Sequence, residues 1–419
     1  MKKFNKTLMA GLVAAGMVAS FGANATNGYF SHGIGMKAKG MAGAGIAYGQ
    51  DALAAGTNPS NMVLVGSRID FGIDLFKPVR STSITGNGML GSVTYSPNKD
   101  DIFLIPEFGY NSMIDAVSSW GVSVYGNGGM NTSYKKPIGL FGSKNAGVNL
   151  EQLFIAPTYA RKLDDKNSIG IALNLIYQKF RATGLQNFDN STYSSHPGSV
   201  TDNGDDTSTG YSLKLGWTGT INDMMTVGLT YQSKADMKAF DKYKGLFAEN
   251  GDFDIPATYG VGIAVKATPK MNVAFDITRI EYSGVKSISN PLLPNLGAAQ
   301  LGTSGGAGFG WKDMTVYKLG FDYKYDDTLV LRAGWNHGAQ PIAASETLFN
   351  LLAPGVVEDH LTLGATWTLA NKAELTVAYM HAFEKTVNGS NSIPAGFGGG
   401  EANLTMSQDS LGVAYGWKF

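Results

Sequence analysis

The feature that most constrains this chain is a two-residue alternation of large apolar with small or polar side chains, repeated along most of its length. At the end of the chain Leu411, Val413, Tyr415, Trp417 and Phe419 share one face of an extended strand, and Ser410, Gly412, Ala414, Gly416 and Lys418 share the other. A soluble core strand seldom leaves its second face so polar, whereas a strand with lipid outside and a lumen inside requires that split. Ile69, Phe71, Ile73 and Leu75 likewise oppose Asp70, Gly72 and Asp74, and Ile169 through Tyr177 oppose Gly170, Ala172, Asn174 and Gln178. Tyr211 to Trp217, Met271 to Ile277 and Leu375 to Tyr379 repeat the pattern.

Strands are predicted near 68–78, 102–113, 119–128, 150–161, 168–181, 209–220, 225–236, 256–267, 271–283, 314–325, 329–337, 358–369, 373–385 and 407–419. That is about fourteen, an even number. The spacers alternate in length: short turns such as Asp164-Asp165-Lys166-Asn167, Asn222-Asp223 and Asp326-Asp327 alternate with long segments at 79–101, 129–149, 182–208, 237–255, 284–313, 338–357 and 386–406. Short periplasmic turns against long external loops characterise an outer-membrane barrel. Trp217, Trp335, Trp367 and Trp417 fall near strand ends, where an indole can sit at the membrane interface. A large soluble β-sandwich would also alternate, but would explain neither the turn asymmetry nor the polar inner faces. The fold class is therefore all-β, a transmembrane antiparallel barrel of about fourteen strands spanning 68–419.

The start of the chain supplies a route to such a membrane. Lys2, Lys3 and Lys6 precede an apolar run from Leu8 to Phe21 that closes on Ala23-Asn24-Ala25, the pattern of a secretory signal cleaved after Ala25. Gly11 and Gly16 interrupt this run, and it falls short of the roughly 20 apolar residues of a spanning helix. With no cysteine, stability must come from strand pairing and packing rather than disulfides. Charge is balanced at 33 basic and 33 acidic residues, which gives no footprint for nucleic acid.

A barrel this wide cannot fill its lumen with wall side chains alone, so it must conduct water or hold a plug. Residues 26–67 are assigned to the plug: they lack alternation and carry Gly28, Gly33, Gly35, Gly40, Gly43, Gly45, Gly49 and Gly56 among many alanines. The G-x-G-x-x-G spacing of a nucleotide loop is not met, and no strand precedes these glycines.

Asn27-Gly-Tyr-Phe-Ser-His-Gly-Ile-Gly-Met-Lys-Ala-Lys-Gly-Met-Ala-Gly-Ala-Gly-Ile-Ala-Tyr48, followed by Asp51-Ala-Leu-Ala-Ala55 and Thr57-Asn-Pro-Ser60, resembles the hatch of the FadL family of outer-membrane transporters for long-chain fatty acids and other hydrophobic compounds. Gly310-Trp-Lys-Asp313, Tyr325-Asp-Asp327, Leu331-Arg-Ala-Gly334, Tyr379-Met-His381 and the aromatic terminus are similar to later parts of that family's pattern, in the same order. One departure is Asn58-Pro59-Ser60, where many members have Asn-Pro-Ala.

The resemblance implies a fourteen-stranded barrel with an internal hatch in which Asn27, Gly28, Tyr29, Phe30, Asn58, Pro59 and Ser60 take part. It implies capture of ligand at two external loops, here 182–208 and 237–255. In the second, Phe240, Tyr243, Leu246, Phe247 and Phe253 offer apolar area worth roughly 1.5–3 kcal/mol per fully buried side chain. It implies an internal apolar pocket with basic side chains for a carboxylate, for which Lys312 and then Arg181 are the candidates. It also implies sideways exit where the third strand kinks, matched here by Gly126, Gly128 and Gly129.

For an enzyme the chain offers no recognisable signature: His32, His196, His337, His360 and His381 occur singly. Asp202-Asn-Gly-Asp-Asp206 resembles part of a calcium loop but lacks the closing glutamate. No metal or other cofactor is expected. The reading is a monomeric, passive outer-membrane channel, in contact with lipid and lipopolysaccharide, for long-chain fatty acids. Aromatic hydrocarbons or alkanes are the alternative cargo, and a nonspecific porin or surface-binding protein is the alternative class.

Overall fold

The computed structural model describes residues 26–97 and 101–419, so the predicted signal at 1–25 lies outside the described residues. Fourteen long antiparallel strands form one closed sheet. In chain order they are β1 (Arg68–Asn87), β2 (Phe103–Met113), β3 (Ser118–Ser133), β4 (Gly147–Lys162), β5 (Asn167–Thr183), β6 (Asp206–Asn222) and β7 (Met225–Gln232). The second half comprises β8 (Thr258–Thr268), β9 (Met271–Ile280), β10 (Met314–Lys324), β11 (Leu329–Gly338), β12 (Asp359–Thr368), β13 (Glu374–Val387) and β14 (Glu401–Lys418). Each pairs with the next, and β14 closes on β1 from Arg68↔Lys418 to Thr85↔Glu401, which closes the sheet into a barrel. Two short strands, Gly91–Tyr95 and Asp236–Met237, add to the outer rims of β1 and β6.

The turns of one rim are short because each carries its own acceptor. Asp115 Oδ1 accepts from the amides of Val117 and Ser118 at 2.8 and 2.7 Å, Asp164 Oδ1 from Lys166 and Asn167 at 2.8 and 2.7 Å, and Asp326 Oδ1 from Thr328 and Leu329 at 2.7 and 2.9 Å. On the opposite rim β1, β3 and β14 run well past their predicted limits. The alternation continues there with more apolar inward residues, such as Ile84, Met130, Leu404 and Met406, alongside the polar Arg80, Thr82 and Thr132. In β5 the inward set passes from Ser168, Ala172 and Asn174 to Ile176, Phe180 and Ala182, with Gln178 the buried polar residue between them, donating to the Phe253 carbonyl at 3.0 Å, while Ile169, Ile171, Leu173, Leu175 and Tyr177 are exposed on the outer face. The barrel therefore has a polar lower lumen and an apolar upper chamber. No helix among the described residues is long and apolar enough to cross a membrane.

Residues 26–67 pack against the inward faces of the strands. Inward glycines make room for them: an added Cβ at Gly216 would meet Asn58 Oδ1, at Gly228 the Ile46 carbonyl, at Gly320 and Gly334 the backbone of Met41, and at Gly412 Met36 Sδ. The polar inward residues bind the segment's backbone. Asp276 Oδ2 accepts from the Gly45 and Ile46 amides at 2.7 and 2.9 Å, Asp70 Oδ2 from Ala52 at 2.9 Å, and Thr362 Oγ1 from Ala42 at 2.8 Å. Lys39 pairs with Asp74 at 2.8 Å, and Lys37 and Arg68 converge on Glu374 at 2.5 and 2.8 Å.

Candidate functional site

Three structures meet at the top of the lumen: the start of the N-terminal segment, the bend of β3, and the loops that roof the barrel. The β2–β3 ladder runs only from Met113↔Ser119 to Phe108↔Val124. Beyond Val124, β3 continues to Ser133 paired with β4 alone, and a bulge at Asn127 shifts its register between Gly126 and Gly128. The upper part of β2, Phe103 to Glu107, is thereby left without β3 as a neighbour. It contains Pro106, a residue confined within sheets to such edges. A lateral break in the wall stands at Gly126, Gly128 and Gly129.

The N-terminal segment lies on the inner side of this break. Phe30 bridges Gly128 in antiparallel fashion, the Ser31 amide donates to the Asn127 carbonyl at 2.9 Å, and the Gly129 amide donates to the Tyr29 carbonyl at 2.9 Å. Gly128 is required for this approach, because a Cβ there would fall 1.9 Å from the Tyr29 carbonyl oxygen. From the other side the Tyr282 hydroxyl donates to the Asn27 carbonyl at 2.6 Å and accepts from the Tyr29 amide at 3.3 Å. Gly28, at φ 64, faces Tyr282 and Trp311 so closely that a side chain would collide with both.

An unbroken line of aromatic rings runs from Tyr29 up into the roof. Tyr29 lies 6.3 Å from Phe253 and Phe253 lies 4.7 Å from Phe247, which is 4.7 Å from Phe180 of β5, centroid to centroid. Tyr282 and Trp311 flank Tyr29 at 5.5 and 6.0 Å. The far end of the line borders an apolar cavity of about 40 Å³, lined by Phe141, Phe180, Phe188, Phe247, Phe309 and Phe349 among others. A volume of about 300 Å³ or more is usual for a small-molecule site, so side chains must separate before this one admits a ligand. Below Phe30 a second cavity of about 80 Å³ is lined by Ser31, Asn127, Lys214, Gln232 and Lys318.

The predicted site residues are distributed unevenly over this geometry. Phe240, Tyr243, Phe247 and Phe253 are buried and Leu246 is half-buried, so the loop turns its aromatic rings inward rather than to the exterior. Phe180 of the wall and the loop's own hydrogen bonds hold these rings inward, and Leu246 and Phe247 line the cavity. Lys312 is exposed and away from the cavities, because its neighbour Trp311 takes the inward place, with its indole N–H donated to Asn350 at 2.6 Å. Asp313 pairs not with Lys312 but with Arg279, at 3.0 Å. Arg181 is exposed too, 3.7 Å from Asp205. Neither base is brought to the chamber.

Asn58, Pro59 and Ser60 sit far from Asn27 to Phe30 in sequence but hold the same segment. Asn58 Nδ2 donates to the carbonyls of Ile46 and Trp217 at 2.7 and 3.1 Å. The Ser60 hydroxyl lies 2.8 Å from Asn58 Oδ1 and 2.7 Å from Thr218 Oγ1, so the serine that departs from Asn-Pro-Ala is fully partnered. Tyr282 and Trp311 are not among the predicted site residues, and in the first external loop, 182–208, which is expected to take part in capture, no apolar side chain is singled out although Leu185, Phe188 and Val200 are buried.

The family described as "Outer membrane protein transport protein (OMPP1/FadL/TodX)" matches residues 17–419. Among solved structures, the toluene transporter TodX of P. putida superposes with a TM-score of 0.70 at 17% identity, covering 93% of this chain and 99% of that one. A FadL homologue of Pseudomonas aeruginosa does so with 0.72 at 16% identity, covering 94% and 100%, and the toluene transporter TbuX of Ralstonia pickettii with 0.64 at 18%, covering 93% and 99%. No curated protein sequence matches the chain.

Proposed function

The chain belongs to the OMPP1/FadL/TodX family of outer-membrane transport proteins, and from that premise we propose that it is a monomeric, passive channel for long-chain fatty acids, entered through the roof and left sideways through the wall. Membership makes it an outer-membrane carrier of hydrophobic compounds and not an enzyme. The observation that carries the route is the aromatic line from the roof cavity to Tyr29, which ends where β3 has parted from β2.

A hydrophobic molecule gains by staying on apolar surface through the polar outer layer. Here the path is closed twice, by collapsed rings above and by the Asn27 to Phe30 segment, acting as a hatch, beside Gly128. Ligand wedged between Phe247, Phe253 and Tyr29 would displace that segment and uncover the break, releasing the molecule into the membrane. Two solved relatives are toluene transporters, and this favours a second reading in which the cargo is a monoaromatic hydrocarbon. Uptake of labelled oleate and labelled toluene by Gram-negative cells lacking their own transporters decides between them. Oleate uptake above background supports the first reading, toluene alone the second, and neither overturns both.

A further inference from the structure

One buried cation has been left without a role. Of the buried bases on the hatch and wall, Lys37 and Arg68 bind Glu374, Lys39 binds Asp74, Arg332 binds Gln50 and Thr366, and Lys214 donates to the Gly56 carbonyl. Arg80 is only 4% exposed, yet neither its Nε nor its Nη2 has a hydrogen-bond partner among the described residues. A buried guanidinium in that condition is costly. Those two nitrogens form the side edge of the guanidinium, which matches the two oxygens of a carboxylate. The same strand shows this edge occupied: Arg68 gives Nε and Nη2 to the Asp70 oxygens at 2.8 and 2.6 Å.

Arg80 lies in the upper, apolar part of β1, opposite Met406 of β14. Its cavity, about 10 Å³, is lined by Met130, Asn131, Trp311, Met406 and the Ala353 to Gly355 backbone. That is room for about one water. The segment from Phe349 to Gly355 separates this cavity from the aromatic one, with Phe349 and Leu352 lining one side and Ala353 to Gly355 the other. Thr132 and Tyr134 of the β3 end hold the partition by donating to the carbonyls of Leu352 and Leu351 at 2.8 and 2.5 Å. Two flexible methionine side chains, Met130 and Met406, are the groups whose movement would open it.

We propose that Arg80 is the receptor for the anionic head group of the transported molecule, and so the residue that makes this channel prefer an amphipathic acid to a neutral compound of the same shape. The inference rests on the reading that hydrophobic molecules enter the roof chamber. It adds a carboxylate seated on the Nε–Nη2 edge, with Trp311 and the methionines against the first carbons of the chain. Tyr134 and Asp101 are the other titratable groups whose charge reaches Arg80, and the Tyr134 hydroxyl is already engaged with Thr82 and Leu351.

The test compares oleate with oleyl alcohol, equal in length but neutral, by calorimetric binding to the full-length barrel in detergent. The protein is expected to bind oleate the more tightly. Arg80→Met should weaken oleate by about 10- to 100-fold, the range for hydrogen bonds to a charged group, and leave the alcohol unchanged. Met406→Glu, which sets a carboxylate beside Arg80 without removing it, should abolish the preference in the same way, and serves if Arg80→Met fails to fold. Equal binding of acid and alcohol by the unaltered protein overturns the role of Arg80 but not the channel. A preference that survives in either folded variant does the same. Failure of the unaltered protein to bind either compound overturns the channel reading itself.

Discussion

Residue by residue, the lumen is held by few polar groups, each with more than one task. Asn58 cross-links two parts of the hatch to β6, and Ser60 adds a hydroxyl whose partners are Asn58 and Thr218. Ser60→Ala should therefore cost about 1 kcal/mol of stability and Asn58→Ala up to about 3 kcal/mol, because the latter leaves buried carbonyls unpaired. Denaturant midpoints, with hydrogen exchange of residues 44–62, would register both. His32 belongs to the same layer. Burial, helped by the charge of Lys39 and the neighbouring His360, holds its imidazole well below the ordinary value of 6.5, and it stacks on His360 at 6.4 Å. A base whose affinity for protons is lowered on folding stabilises the fold above its unfolded value and loses that contribution as pH falls through and below 6.5. The thermal midpoint should thus drop between pH 8 and pH 5, and His32→Gln should flatten the drop; an unchanged slope would remove His32 from the account.

At the scale of elements, the informative strand is β3. Its first half reads and behaves as wall, with Gly121, Ser123 and Tyr125 inward; after the bulge the parity reverses, and Met130 and Thr132 face in. The triple glycine marked this place in the sequence, since glycine inside a strand signals a bulge or a close backbone approach. That the backbone approaching it is Tyr29 to Ser31 was not legible, because no local pattern encodes a contact about a hundred residues away. Gly128→Val should push the hatch off β3 and change oleate uptake while leaving the barrel folded, as judged by its heat-modifiable mobility. A variant with normal uptake would separate the bulge from the exit. The extension of β1 explains a further miss. Its inward set of even-numbered residues runs past 78 to Arg80, and a strand ended at 78 hides this buried arginine of the upper chamber from any reading of candidate bases.

For the whole molecule, the closed sheet sets the boundary and, on the proposed reading, the segment 26–67 sets the permeability. Inward glycines and carboxylates are matched to the hatch, so small hydrophilic solutes should not pass. Liposomes carrying the protein should fail to swell in arabinose, and swelling at porin rates would show that the hatch is no seal. The alternation, the short Asx turns and the long opposite loops sufficed to place the fourteen wall strands and their outer faces, though not the short strand Gly91–Tyr95 or the upper end of β1, because lipid and lumen impose opposite demands on successive residues within the membrane. That residues 26–67 stand apart from the wall was legible from their lack of alternation, and the reading of that segment as a plug belongs to the proposed function. Which loop residues would turn inward, which bases would remain in solvent, and which arginine would be buried with its Nε and Nη2 unpaired among the described residues were decided only by the tertiary structure. Those outcomes depend on how the loops close over one another and on the parity of strands beyond the membrane, where no lipid enforces the pattern and burial is set by contacts distant in sequence.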